Sequence, residues 1–286
     1  MTDSRRRYIF AAHETQSESE MNCTVKKIKS LLKNGWEFLL ANGFITWGLL
    51  LLIWQLGSLT TNAQFLPGPI AAIKGGIEIV QNGLLLDYLG ISFLRVLRGW
   101  LLGIAIAVPI GLAVGQFRTF RLIFEPFVNF FRFVPAIGFI TLFLMWFGIG
   151  ESSKVALITY AAIFPVSINT IAGVMSISPI TIQVAQSQGA SPFQIFCTVT
   201  IPASVPQIFT GIRLGLGGSI VSIVGAEMLA AQKGIGYLIY TSRLYYRTDW
   251  IFTGIFILGL SGFLADRLLR LFGRTALKRF GVRESK

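Results

Sequence analysis

Residues 178–206 read SPITIQVAQSQGASPFQIFCTVTIPASVP, and this uncharged stretch is punctuated as two short helices rather than as a membrane span. Ser178 is a good N-terminal cap, and Pro179 suits the first helical position because its missing N–H would have no intrahelical partner there. Gly189 can end that helix in the left-handed conformation, which glycine adopts without steric cost. The sequence therefore predicts a first helix that stops at a glycine.

The second half of the stretch repeats this pattern. Ser191 is followed by Pro192, and Gln194 stands three positions after the serine, which is the spacing of a reciprocal capping box. Pro202 and Pro206 are expected to end the second helix, because proline lacks a backbone donor. Together the two halves form a helix–glycine–helix segment (residues 178–206) between two very hydrophobic regions. Its uncharged polar surface suits docking to another protein.

The composition of the whole chain is that of an integral membrane protein. Its 286 residues are 53% hydrophobic and 13% charged, and the mean hydropathy is +0.66, which is too apolar for an ordinary soluble domain. A helical span needs about 20 mostly apolar residues. Six segments meet this need, at approximately 44–59, 89–115, 123–147, 154–174, 207–229 and 250–272. The predicted fold is all-α with six transmembrane helices.

The placement of the basic residues predicts the orientation of the chain. It carries 25 Lys and Arg against 13 Asp and Glu, a formal charge of +12. The basic residues are concentrated before the first span, after the last span, and between the second and third spans. By the positive-inside rule, both termini face the cytoplasm. Because the charge follows a membrane topology in this way, we expect no nucleic-acid partner.

This topology divides the chain into three parts. Residues 1–37 are polar and mixed in charge, and we expect a cytoplasmic N-terminal segment that is partly disordered. Within it, residues 26–37 form either an amphipathic helix on the inner membrane surface or a charged lead-in to the first span. Residues 38–272 form the transmembrane domain, with a core at about 85–272. Residues 273–286 form a basic cytoplasmic tail.

No pattern for catalysis, nucleotide binding or metal binding stands out. The dipeptide Gly-Lys of a phosphate-binding loop does not occur in the chain. The single histidine, His13, lies in the N-terminal segment, and Cys23 and Cys197 both fall on the predicted cytoplasmic side. We therefore assign no catalytic residue and no metal ligand, expect no cofactor, and expect that the chain by itself is not an enzyme.

Four polar residues within the predicted spans are candidates for a translocation path. Arg132 in the third span is costly in lipid and therefore a functional candidate, although Glu125 or Glu227 could instead pair with it. Asn169 in the fourth span could satisfy a carbonyl that a nearby proline leaves free, or line a polar path. Arg213 and Glu227 lie in the fifth span, and an inward-facing cation such as Arg213 would suit an anionic solute.

Glycine patterns in the second span predict close helix packing. Gly99 with Gly103, and Gly111 with Gly115, are small residues four positions apart, a spacing that lets two helix backbones approach each other. A role in lining a transport path is the alternative. Packing is the favoured interpretation.

The helix–glycine–helix segment resembles the cytoplasmic loop motif of ABC-importer membrane subunits. That motif reads EAA, three residues, Gly, nine residues, Ile, one residue and Leu-Pro. The corresponding residues, with the spacing intact, are Gln183, Val184, Ala185, Gly189, Val199, Ile201 and Pro202. The departures are Gln for Glu at position 183 and three exchanges among apolar residues. A contact that needs a carboxylate at position 183 would be lost.

The resemblance covers about residues 65–272 and points to the nitrate, sulfonate and taurine branch of the family. The segments that carry it include LPGP, SFLRVLRG, FVPAIGFITLFLMWFGIGE, FPVSINT, QGASPFQIF, AEML, KGIGYLI and TDWIFTGIFILG. It implies the MetI-like fold of a type I importer in the bacterial cytoplasmic membrane. A second permease copy, giving a homodimer, two ABC ATPase subunits and an external solute-binding protein would be the partners.

In such a complex the helix–glycine–helix segment would couple the membrane helices to the ATPase, which hydrolyses ATP in a separate subunit. The coupling residues implied are Gln183, Val184, Ala185, Gly189, Ala190, Ser191, Pro192, Ile201 and Pro202. The implied substrate is a small anionic solute, with an aliphatic sulfonate or taurine first. Nitrate, bicarbonate, cyanate or a thiamine-precursor-like heterocycle are alternatives. A self-sufficient channel or secondary transporter, or a membrane scaffold, are the other classes of protein compatible with six spans.

Overall fold

The computed structural model describes residues 44–62 and 64–280. The predicted N-terminal segment 1–37 and residues 281–286 of the predicted tail lie outside these ranges. The chain divides into two units, with the boundary between Pro69 and Ile70. The α-helices are α1 (Phe44–Thr60), α2 (Pro69–Gln81), α3 (Leu84–Gln116), α4 (Arg118–Phe131), α5 (Ile140–Phe147), α6 (Glu151–Met175), α7 (Pro179–Ser187), α8 (Pro192–Ile195), α9 (Ile201–Ala230), α10 (Ile235–Leu244) and α11 (Thr248–Ala276). The predicted all-α fold is confirmed, and the described ranges contain no β-strand.

Four of the six predicted spans are long, continuous apolar helices. They are α3, α6, α11 and the continuous helix Pro192–Ala230, which joins α8 to α9. The first predicted span is α1, which has 17 residues and lies at the lower limit of about 17 residues for a membrane helix. The second, fourth, fifth and sixth predicted spans are thus confirmed, although the helix that contains the fifth begins earlier, at Pro192.

The third predicted span is not one straight helix, so a continuous helix over 123–147 was wrong. The α4 helix ends at Phe131, a short 3₁₀ turn covers Ala136–Phe139, and α5 follows. The two α-helices are bent by 94° relative to each other. Pro135 explains the break, because it has no N–H to donate and its ring disfavours the helical conformation of the residue before it.

The prediction that Pro202 and Pro206 end the second short helix was also wrong. A π-helical turn at Phe196–Thr200 follows α8 directly, and α9 continues from it without a stop. The π turn widens the backbone just before Pro202 and makes room for the proline ring within a continuous helix. The result is one helix of 39 residues, Pro192–Ala230.

The core of the second unit is a sandwich of α3, α6 and α9, in which glycines bring backbones together. A Cβ atom added at Gly103 would lie 2.7 Å from the Cβ of Ala162, and one at Gly111 would lie 2.6 Å from the Cβ of Thr170. On the other side of α6, an added Cβ at Gly215 would lie 2.9 Å from Val166. The glycines of the second span are therefore packing positions, as predicted.

Apolar side chains fill the space between these three helices. Val96 and Trp100 of α3 pack with Ile158 of α6 and with Leu216 and Ile223 of α9. The indole Nε1 of Trp100 donates to the carbonyl of Ile212 at 2.9 Å, which satisfies its one polar atom in this apolar setting. This packing fixes both ends of α6. Glu151 is the first residue of the helix, and the helix–glycine–helix segment follows its last residue, Met175.

Large apolar side chains cover much of the outer surface. On α11, for example, Leu264, Leu268 and Leu271 are each more than half exposed. A surface of this kind is unfavourable in water but matches the hydrocarbon interior of a bilayer. The exposed faces therefore agree with helices that are surrounded by lipid.

Candidate functional site

The helix–glycine–helix segment has the local structure that its sequence predicts. Ser178 precedes the first residue of α7, although its hydroxyl makes no capping hydrogen bond. Gly189 has φ +81°, in the left-handed region where glycine is favoured. The N–H groups of Gly189 and Ala190 donate to the carbonyls of Gln186 and Ala185 at 2.9 and 3.1 Å. These bonds close the end of α7 and turn the chain toward α8.

The second helix begins with the predicted capping box. The Ser191 N–H donates to Gln194 Oε1 at 2.8 Å, and the Gln194 N–H donates to Ser191 Oγ at 3.3 Å. Both side chains are exposed, as are three large apolar side chains of the segment, Ile180, Val184 and Phe193. The segment thus combines a defined backbone with an exposed surface of mixed polarity.

The four candidate path residues do not converge on one site. Arg132 lies in the bend after α4, where its guanidinium carbon sits 4.6 Å above the ring centre of Phe133. It is exposed, and within the described residues it forms no salt bridge with Glu125 or Glu227. Pairing of Arg132 with Glu227 is therefore excluded by the structure, because Glu227 is engaged elsewhere.

Asn169 and Arg213 both have local partners. The Asn169 amide donates to the carbonyl of Pro165 at 2.8 Å. That is not the carbonyl left free by the proline ring, which belongs to Ala161, four residues before it. Arg213 Nε donates to Asp266 Oδ1 at 2.9 Å, which ties α9 to α11. Asp266 is shared with Arg270, which lies one turn further along α11, so Arg213 belongs to a local ion-pair group that ties α9 to α11.

Glu227 is fully buried near the end of α9 and is the centre of a polar cluster. Its carboxylate accepts hydrogen bonds from Ser92 Oγ at 2.7 and 2.9 Å, from Arg95 Nη1 at 2.8 Å and from the Gly236 N–H at 2.8 Å. Ser92 Oγ accepts in turn from the Ile235 N–H at 2.9 Å. A buried carboxylate requires this many donors, because it has lost its water.

Arg95 extends the cluster to a third helix. Its Nε and Nη2 donate to the two carboxylate oxygens of Glu151 at 2.6 and 2.7 Å, in the bidentate arrangement that arginine favours. Lys154 Nζ donates to Glu151 Oε1 at 3.0 Å, and Arg95 Nη1 donates to the carbonyl of Lys233 at 2.7 Å. The cluster therefore joins α3, α6, α9 and the connection from α9 to α10.

This cluster was missed as a unit by the sequence predictions. The sequence signal that could have indicated it is the set of charged residues at the same predicted ends of three apolar helices, namely Arg95, Glu151 and Glu227. Charges buried at a shared membrane depth are expected to pair. Pairing partners, however, were not apparent from spacing, because Arg95 and Glu227 are 132 positions apart.

The described residues contain no group of three or more His, Cys, Asp and Glu side chains that could hold a metal ion. Cys197, in the π turn, is an exposed free thiol.

Residues 101–278 match the model of a protein family described as binding-protein-dependent transport system inner membrane component. The match covers more than half of the chain. The chain belongs to this family. The permease is therefore an integral membrane subunit of the ABC-importer class, and the helix–glycine–helix segment lies inside the matched region.

Relatives of the permease place it in the taurine, sulfonate and nitrate branch. It is 34% identical to the putative aliphatic sulfonates transport permease SsuC of Bacillus subtilis, over 89% of this chain and 91% of that protein. It is 33% identical to the taurine transport system permease TauC of Escherichia coli, over 79% and 84%. It is 32% identical to the nitrate import permease NrtB of Synechococcus elongatus, over 78% and 85%.

A solved structure shares the fold of the permease. An inward-facing conformation of the MetNI methionine ABC transporter contains a chain that aligns with a TM-score of 0.59, covering 70% of this chain and 97% of that one. The sequence identity is 18%, so the likeness concerns the fold alone. The expected MetI-like, type I importer fold is thereby confirmed.

Proposed function

We propose that the permease is the membrane-spanning subunit of an ATP-driven importer for a small anionic solute, delivered by an external solute-binding protein. An aliphatic sulfonate or taurine is the first choice of substrate. The observation that carries the proposal is the helix–glycine–helix segment, an exposed element with a glycine turn and a capping box, whose second helix is the start of the 39-residue helix Pro192–Ala230. ATP hydrolysis takes place in separate ATPase subunits, and this chain is not itself an enzyme and binds no cofactor.

The length of that helix supports a docking role for its first turns. At about 1.5 Å per residue, 39 residues span about 58 Å, whereas the hydrocarbon core of a bilayer is about 30 Å thick. The helix therefore projects beyond the hydrocarbon, and its α8 end carries the exposed Phe193. A force applied to α8 by an ATPase would act along a continuous helix and not through a flexible loop.

We infer that each of two permease copies, forming a homodimer, docks one ATPase subunit through the residues around Gly189. The same inference places the segment and both termini in the cytoplasm and the permease in the bacterial cytoplasmic membrane, as the positive-inside rule predicts. The exposed Ile180, Val184 and Phe193 supply apolar anchors of the kind that protein interfaces bury. Gln183 is exposed beside them.

The relatives support the choice of solute. Two of them are named for taurine and for aliphatic sulfonates, and a third for nitrate. These solutes share a small size and an oxyanion group in which the negative charge is delocalised over several oxygens. Bicarbonate, cyanate or a thiamine-precursor-like heterocycle are the other candidates, and competition with labelled taurine in the assay below ranks them.

Uptake by the reconstituted complex tests the proposal. The permease, its ATPase and its binding protein are placed in vesicles, and we expect taurine uptake that requires ATP. Gly189→Glu should lower this uptake by about tenfold or more, the range of a typical coupling free energy. Gly83→Glu is the matched control, because Gly83 also has a positive φ, of 71°, and open space around a Cβ, but lies between α2 and α3.

Three results would overturn the proposal. Uptake that proceeds equally without ATP would indicate a channel or secondary transporter. Equal effects of Gly189→Glu and Gly83→Glu would remove the helix–glycine–helix segment from the coupling mechanism. A permease that purifies with the ATPase but transports no solute at all would instead support a scaffold.

A further inference from the structure

A cavity of about 680 Å³ lies where residues 91–98 of α3 and the first turn of α6 meet the connection between α9 and α10. Its polar lining consists of Arg95, Arg98, Glu151, Lys154, Gln232 and Lys233. The rest of the wall is largely apolar. This cavity lies at the opposite end of α6 from the helix–glycine–helix segment, about 37 Å away along a helix of 25 residues.

We propose that this cavity is an entry site for a small organic oxyanion, with Arg98 as the residue that contacts its charged group. The proposal rests on the proposed function, since it assigns a binding site to the anionic solute of that importer. The proposed anion contact is therefore Arg98, and not Arg132 or Arg213, the two arginines that were candidates from the sequence. Its basis is the balance of charges around the cavity.

The carboxylates near the cavity are already occupied. Both oxygens of Glu151 accept hydrogen bonds from Arg95, and one of them also accepts from Lys154. Glu227 is bound by Arg95 and Ser92, behind the cavity wall. Each of these carboxylates is therefore already paired with a basic side chain, and the cavity wall carries no surplus negative charge.

The basic groups are not all neutralised. Arg95 and Lys154 balance Glu151 and Glu227, and Lys233 pairs with Asp87 at 3.0 Å. Arg98 is exposed and forms no ion pair within the described part of the chain. It therefore leaves a surplus positive charge at the cavity wall, and a guanidinium can bind two oxygens of a sulfonate or carboxylate group at once.

Lys154 adds further donors beside this charge. Its side chain is 5% exposed and its ammonium group makes one described hydrogen bond, to Glu151. An ammonium group has three donors, so Lys154 can donate to an additional oxygen without giving up Glu151. Because it is held in a mostly buried position, its charge is screened less than that of a surface lysine.

The apolar part of the wall fits the other half of the ligand. Ile91 and Leu94 from α3 and Ile149 before α6 line the same cavity. An aliphatic sulfonate has an anionic head and a short alkyl chain, so it could place the head on Arg98 and the chain against these side chains. Small-molecule sites commonly combine an apolar wall with a few polar groups in this way.

Direct binding to the intact complex tests the proposal without transport. Ethanesulfonate is added to the purified, nucleotide-free complex, and its contact with the protein is followed by ligand-observed NMR. We expect Arg98→Gln to weaken ethanesulfonate binding by about tenfold, the typical loss of a charge-assisted hydrogen bond. Arg98→Lys should restore part of the binding. Thermal unfolding of each variant checks that the exposed substitution leaves the fold unchanged.

Arg243→Gln is the matched control. Arg243 is a cation of the same type in α10, where it lies over the ring of Tyr240, at 5.3 Å, and outside the lining of the cavity. Its replacement should leave ethanesulfonate binding unchanged. In uptake assays, Arg98→Gln should raise KM more than it lowers kcat, since an entry site contributes to capture of the solute.

The outcomes separate this proposal from the importer function. If ethanesulfonate does not bind to the wild-type complex, or binds equally to Arg98→Gln and Arg243→Gln, the entry site is wrong even where ATP-driven uptake is observed. If Arg98-dependent binding is found but uptake needs no ATP, the importer function fails and the anion site stands. In the uptake assay with labelled taurine, competition by nitrate but not by ethanesulfonate would contradict the fit of an alkyl chain.

Discussion

Arg95 and Glu227 form an ion pair inside the helix bundle, with 2.8 Å between Nη1 and Oε1 and only 5% and 0% of the two residues exposed. The pair joins α3 to α9, and Arg95 also holds Glu151 of α6 through two further hydrogen bonds. A single arginine thus connects the three helices of the core at the end remote from the helix–glycine–helix segment.

The two partners of this pair should respond unequally to substitution. Arg95→Met leaves the buried Glu227 carboxylate without its cation, and we expect a loss of about 3–5 kcal/mol in the free energy of unfolding. Glu227→Gln should cost less, because Arg95 keeps Glu151 as a partner. Thermal unfolding of the detergent-solubilised complex measures both. Lys233→Met, which breaks an exposed pair with Asp87, should change stability by about 0–1 kcal/mol. Equal losses for all three variants would contradict a buried pair.

Close packing of α3 on α6 should make Gly111 intolerant of a larger side chain. A Cβ there would lie 2.6 Å from Thr170 Cβ and 3.1 Å from the Ser167 carbonyl oxygen, so Gly111→Val must separate two backbones. We expect a loss of about 1–3 kcal/mol, seen as a lower thermal midpoint. Gly90→Val is the control on the same helix, since nothing lies within 4 Å of a Cβ at Gly90. Similar midpoints for the two variants would exclude this tight contact.

The glutamine at position 183 should be exchangeable for the glutamate of the family motif. Gln183 is exposed on α7, and an exposed charge contributes about 0–1 kcal/mol to an interaction. We therefore expect Gln183→Glu to keep ATP-dependent uptake within about fivefold of the wild type. Copurification with the ATPase is measured in parallel. Loss of the ATPase from the Gln183→Glu complex would show that this side chain, and not the shape of the segment, determines docking.

A carboxylate outside the membrane spans should give stability a pH dependence. Hydrogen bonds from Arg247 hold the pKa of Glu78 below its usual range, and one of them joins Nη1 to Oε1 at 3.2 Å. A depressed folded-state pKa stabilises the protein above the ordinary glutamate pKa, and the effect is lost as the pH falls through the depressed value.

We therefore expect Glu78→Gln to lower the thermal midpoint at pH 7, and the difference from wild type to shrink as the pH falls below about 4. Lys74→Gln changes a charge on the same helix and should show no such convergence. A Glu78→Gln difference that grows on acidification would have the opposite sign and would contradict the proposed linkage.

Much of the helix–glycine–helix segment could be predicted because its structure depends on neighbouring residues. Gly189 ends α7 and Ser191 begins α8 through bonds that span only three to five positions. Capping bonds of this kind depend on residue types at short, fixed spacings, which can be recognised in the sequence. The prediction was wrong at Pro202, because the π turn before it makes room for a proline that would otherwise end the helix. That accommodation depends on backbone adjustments before the proline, which residue spacing does not reveal.

The sequence by itself determined the all-α membrane fold, the approximate spans and the glycine packing positions. An apolar stretch of sufficient length favours a helix in lipid, and regularly spaced small residues allow close helix packing, whatever the rest of the fold is. Only the tertiary structure decided which charges meet. It paired Arg95 with Glu227 across 132 positions, engaged Arg213 with Asp266, and left Arg98 at a cavity wall. The physical reason is that an ion pair depends on distances across the bundle, which the packing of whole helices sets and the order of residues along the chain does not.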